Sequence, residues 1–173
     1  MKEQNEVVDH IQFLAKLLEN DDDMVRRKAR KSLVLLGKKA MPALLLVLDN
    51  SKIYKARWEA AKALGSIADA RAIPTLVKAL EDQESDVAWL AAKALKKFGK
   101  AAWPELFQAL VKRGFESVQL QHGAHYILRK QEEEGLNDLL ENLRKALVSV
   151  SVPESISLAA YNILERMKKI AVE

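Results

Sequence analysis

The 173-residue chain is 49% hydrophobic but only 6% aromatic, so any core it builds must be aliphatic. Six glycines and four prolines are too few for a turn-rich β protein, and the lack of cysteine excludes disulfides and thiolate chemistry. The net charge of +4 conceals a gradient: residues 1–23 carry seven acids and two bases, residues 24–57 carry ten bases and one acid, and the remainder balances.

In chain order, EVVDHIQFLAKLLEN at 6–20 reads as a first helix. The second places Val25, Ala29, Leu33 and Leu36 at steps 0, 4, 8 and 11. At ~100° per residue these four gather on one helical face, whereas a strand would need alternation. Gly37 follows as a stop signal, and AMPALLLVL at 40–48 opens a shorter helix with proline in its first turn. Proline is tolerated there because its missing N–H would have no intrahelical partner. Leu44 and Leu48 supply that helix's buried stripe.

The pattern then recurs. Ala56, Ala60, Leu64 and Ile67 repeat the 0, 4, 8, 11 spacing after a shift of 31, and Val87, Ala91, Leu95 and Phe98 after another 31. AIPTLVKAL at 72–80 and AWPELFQAL at 102–110 repeat the proline helix, with Leu76/Leu80 and Leu106/Leu110 as stripes and Gly99 as a second stop. Trp103 takes the register of Met41 and Ile73 and is assigned to the core. Residues 118–131 are the least regular; Leu120, Ala124, Ile127 and Leu128 are read as buried, and a register starting at Val118 also fits. A last helix carries Ile156, Ala160, Ile163, Leu164 and Met167 at steps 0, 4, 7, 8 and 11. Ser151, with Glu154 three residues on and Pro153 between, resembles a capping box opening it. Internal repetition at this period is the mark of a helical-repeat array.

The element V-R-x-x-A…L following a proline-bearing helix resembles HEAT repeats, in particular the short bacterial and archaeal kind also found in phycobilin lyase subunits. Val25–Arg26 carries it in full and Ala56–Arg57 in part, whereas Val87–Ala88 lacks the arginine. Ala60–Leu64 with Ala72–Pro74, and Ala91–Leu95 with Ala102–Pro104, resemble the family most. The expected fold is therefore an all-α α-solenoid, a HEAT-like superhelix forming a single domain of five two-helix repeats at about 4–37, 38–68, 69–99, 100–133 and 134–171. The resemblance implies that the proline helices line the convex side and the Val-Arg-type helices the concave, binding side.

Steps 2 and 6 of the inner helices lie roughly opposite the buried stripe and are expected to face that groove. Step 2 is Arg27, Trp58, Trp89, His122 and Leu158; step 6 is Lys31, Lys62, Lys93, Tyr126 and Asn162. Arg30 adds to the basic end. Indole faces stack planar or apolar groups while lysines and arginines hold anions, which suits an acidic or aromatic-bearing protein segment and also single-stranded nucleic acid.

Familiar catalytic spacings are missing: no Walker loop, no glycine-rich dinucleotide turn, no nucleophile elbow. His122 and His125 share a helical turn but find no third ligand, so no metal and no cofactor is expected. Glu59 is the one inner-helix acid near the tryptophans, a weak general-base candidate alone. No apolar run approaches the ~18 residues of a membrane span, and MKEQNEVVDH lacks the apolar stretch of a secretion signal. The sequence thus predicts a monomeric cytoplasmic protein, not an enzyme, that scaffolds a protein partner in a basic, tryptophan-bearing groove. The alternatives are a nucleic-acid-binding protein related to the HEAT-like alkylpurine DNA glycosylases and a chromophore-lyase-like subunit.

Overall fold

A computed structural model describes residues 2–149 and 154–171. Among them are ten α-helices and no strand: α1 Lys2–Leu17, α2 Asp23–Leu36, α3 Met41–Asn50, α4 Tyr54–Ile67, α5 Ile73–Lys78, α6 Ser85–Phe98, α7 Trp103–Arg113, α8 Val118–Leu128, α9 Asn137–Val148 and α10 Glu154–Ile170. They follow one another as five two-helix repeats, the all-α repeat architecture that the periodicity requires.

The helix boundaries have local causes. The Asp22 side chain accepts from the Met24 N–H and caps α2, and Ser117 accepts from the Leu120 N–H to cap α8. Pro42, Pro74 and Pro104 occupy the first turns of α3, α5 and α7. Gly37 and Gly99 end α2 and α6 with φ of 57° and 55°, a region glycine enters without a Cβ clash. A short 3₁₀ turn precedes each proline helix, at Gly37–Ala40, Ala70–Ala72 and Gly99–Ala102. Hydrophobic periodicity does not report such turns, because three or four residues make too short a window. The expected helix 72–80 is likewise divided, with α5 giving way to a 3₁₀ turn at Ala79–Glu81. The capping box assigned to Ser151 and Pro153 lies outside the described residues.

Packing divides the chain into two compact units, Met1–Ala94 and Leu95–Glu173. In the first, α1 packs on α2 and α3, α2 and α3 both pack on α4, and α3 meets α5. Ala29, Leu33, Ala60, Leu64, Ala91 and Val87 of the repeated stripes are all buried. Fully burying one leucine contributes about 1.5–3 kcal/mol. Val25, Leu36, Ile67 and Phe98, at the edges of the stripes, are only half-buried. Gly65 of α4 lets α6 come close: a Cβ there would stand 2.9 Å from that of Ala94.

In the second unit α7 packs on α8, α8 on α9, α9 on α10, and α10 returns to α7. Ser157 Oγ donates to Leu110 O at 3.2 Å across that last contact. Trp103 is buried beside Phe107, their ring centroids 5.9 Å apart. Leu120, Ala124, Ile127 and Leu128 are buried and Val118 is exposed, which decides the register of α8.

Candidate functional site

The arginines of the Val-Arg element serve the scaffold. Arg26 is buried, and its Nη1 donates to Asn20 O and Asp21 O, each at 2.7 Å. Arg57 repeats the reach, donating to Ser51 O at 2.9 Å and gripping Asp82 through Nε at 2.7 Å and Nη2 at 2.9 Å. Each guanidinium holds the loop six residues before it, so the inner helix starts at a fixed angle. The bonded Asp82 carboxylate raises the Arg57 pKa above its ordinary value, with burial opposing it.

On the first unit, the step 2 and step 6 side chains reach solvent. Arg27 is exposed and paired with Asp23 at 2.8 Å, a solvated i, i+4 bridge that contributes little. Lys31, Lys62 and Lys93 are all exposed, one on each of α2, α4 and α6. Trp58 is half-buried, with Lys62 Nζ 4.4 Å from its ring centroid. Trp89 stands 49% exposed, a large apolar surface given to water. Neither indole is sunk between repeats. Met24 and Leu35 of α2 are also exposed, at 57% and 88%, and fall on the same helical face as Arg27 and Lys31. Neither belongs to steps 2 and 6, since Met24 precedes the stripe that starts at Val25 and Leu35 stands at its step 10.

Arg30 departs from the open basic end expected of it. Its side chain is 15% exposed, and its Nε donates to Glu59 Oε2 at 2.6 Å. Its charge offsets that of a carboxylate buried to 1% exposure, so neither group is offered to a ligand. Glu59, weighed as a general base, is the internal partner of that pair.

His122 and Tyr126 belong to the second unit. Tyr126 is half-buried with Lys96 Nζ 4.5 Å from its ring centroid, and the same ammonium donates to Tyr126 O at 2.9 Å, tying down the end of α8. His122 is exposed and, with His125 and Gln121, forms one wall of a cavity of about 460 Å³. Phe115, Leu147 and Ile156 stand among its other walls. Leu158 and Asn162 are exposed on α10. Among the described residues no group of three or more histidines or acids is placed to hold a metal ion, and no helix is long and apolar enough to cross a membrane.

Residues 41–121 match the family model for HEAT repeats. Those residues carry HEAT repeats. The solved complex of CpcE and CpcF of phycocyanin lyase from Nostoc sp. PCC7120 contains a chain similar to this one, with a TM-score of 0.58 and 22% sequence identity over 90% of this chain and 98% of that one. At that identity the likeness establishes a shared helical-repeat fold. No curated protein matches the sequence significantly. The solved complex also overturns the expectation that the chain is not an enzyme. There, a chain matched over 98% of its length belongs to the complex of CpcE and CpcF of phycocyanin lyase. Searching for familiar catalytic spacings is therefore no guide to whether such a chain serves in catalysis.

Proposed function

We propose that this HEAT-repeat chain is a binding subunit. In this reading the face formed by Arg27 and Lys31 on α2, Trp58 and Lys62 on α4, and Trp89 and Lys93 on α6 docks an acidic, aromatic-bearing segment of another protein. The observation that carries the reading is Trp89, 49% exposed one turn before Lys93, at the register that Trp58 and Lys62 occupy one repeat earlier. An indole left half in water forgoes part of the burial that would stabilise the fold, and bulky aromatics beside cations are the anchors typical of protein interfaces. The 4.4 Å separation of Lys62 Nζ from the Trp58 ring, four residues apart on α4, supports a cation-bearing indole face at that position. The close approach of α4 and α6 at Gly65 and Ala94 supports reading the two Trp–Lys pairs as parts of one face.

That the partner is a protein is supported by the similar solved chain, which belongs to a complex of two subunits. The same likeness favours a second reading, in which the partner is the other subunit of a lyase-like pair. Affinity purification from the native cell, with wild-type chain and the W58A/W89A variant as parallel baits, tests the proposal. A protein retained by the first and lost from the second supports it. Equal recovery of all proteins by both baits would refute it, and selective loss of nucleic acid would replace the protein partner by a nucleic-acid one.

A further inference from the structure

The cavity of the second unit is independent of the tryptophan face, and its lining is sorted by chemistry. One wall is α8, which presents the Gln121 amide and the His122 and His125 imidazoles, three residues apart on one helical turn. The other described lining residues, Phe115, Leu147, Val148, Ser149 and Ile156, are apolar apart from the Ser149 hydroxyl; Leu147 and Ile156 are buried and Phe115 is half-exposed. Val148, 63% exposed, stands at the rim. Gln121 is anchored through Nε2 to Gly114 O at 2.7 Å, which fixes the polar wall against the end of α7. Neither imidazole has a hydrogen-bond or ion-pair partner among the described residues, so both retain their bonding capacity.

We infer that this cavity is a binding site for a small amphiphilic monoanion, an aliphatic or aromatic carboxylate or sulfonate, whose apolar body lies on Phe115, Leu147 and Ile156 and whose head group meets His122 and His125. The sign of the charge follows from the lining. No carboxylate stands among the described lining residues, so a cationic head would find no counter-charge, whereas an anionic head meets two imidazole donors. A volume of about 460 Å³ suits a small organic molecule and exceeds what a bare inorganic anion fills.

The test uses the full chain and three probes: 8-anilinonaphthalene-1-sulfonate as a fluorescent reporter, decanoate, and decanol as its uncharged counterpart. The site predicts saturable binding of one reporter per chain, displaced by decanoate. Decanol should compete about tenfold or more weakly, the loss of one charge-assisted hydrogen bond. In the H122Q/H125Q variant decanoate should fall to the level of decanol, while decanol itself is unchanged. His122 is exposed and His125 only half-buried, and Val148→Asp at the exposed rim provides an independent variant that should repel decanoate with an unaltered melting temperature. Unsaturable reporter binding would overturn the inference. So would equal affinities for decanoate and decanol, or decanoate affinity unmoved in both folded variants.

Discussion

Arg30 and Glu59 meet across helices α2 and α4 with Nε and Oε2 2.6 Å apart, the carboxylate 1% exposed and the guanidinium side chain 15%. Twenty-nine residues separate them in the chain. Removing one member of a buried pair strands the other charge in a medium that solvates it poorly. Arg30→Ala should therefore destabilise the first unit by about 3–5 kcal/mol, and the R30M/E59L double variant should recover most of that loss. Urea unfolding of the three proteins checks both statements. A loss under about 1 kcal/mol for Arg30→Ala would show that water reaches Glu59.

The second unit depends on a glycine for a different reason. Gly114 has ordinary helical dihedrals, but an added Cβ would run into Leu110 O and stand 2.8 Å from Ile156 Cγ2 of α10. Leu110 O also accepts from the Gly114 N–H at 2.8 Å and from Ser157 Oγ at 3.2 Å, so it has little freedom to withdraw. Gly114→Ala should cost about 1–3 kcal/mol through overpacking where α10 meets α7. Thermal unfolding measures it. An unchanged or raised melting temperature would mean that α10 is free to move aside.

Asp69 opens the 3₁₀ turn Ala70–Ala72 and is held at a pKa of about 2, below the ordinary 3.8, first by the hydrogen bond from the Arg71 side chain and then by the Arg71 backbone N–H. A carboxyl with a folded pKa below its unfolded one stabilises the fold fully above the unfolded value. That contribution is lost as pH falls through the folded value. The turn should accordingly loosen between about pH 4 and pH 2. In Arg71→Ala the Asp69 carboxyl should titrate closer to 3.8, because the largest cause of the depression is gone. Carbon-13 NMR titration of the carboxyl in both proteins gives the comparison.

The fold was legible because its determinants are local and repeated. Stripes such as Ala60/Leu64 and Ala91/Leu95, the three first-turn prolines and the stops at Gly37 and Gly99 each declare a helix within one window of sequence. The exposed steps were legible for the same reason, since whatever lies opposite a buried stripe faces solvent. Pairings between elements were not. Nothing in the spacing of Arg30 distinguishes a cation that faces solvent from one that turns inward to Glu59, because that choice depends on how deeply α2 and α4 pack. The cavity beside His122 and His125 arises where the ends of α9 and α10 come against α8, a tertiary arrangement with no sequence period.

The docking face is most directly tested by fluorescence anisotropy of a labelled peptide alternating glutamate with phenylalanine, titrated with wild-type chain and with Trp89→Ala. Half of the Trp89 surface is covered by its own chain, so the substitution also costs some stability, and melting curves establish that the variant is folded at the titration temperature. If the indole anchors an acidic, aromatic-bearing segment, the variant should bind about 30-fold more weakly, a loss of about 2 kcal/mol. A control peptide with serine in place of phenylalanine should bind the wild type more weakly than the aromatic peptide does. Equal affinity of wild type and variant for the aromatic peptide, or no preference of the wild type for it over the serine control, would contradict the account.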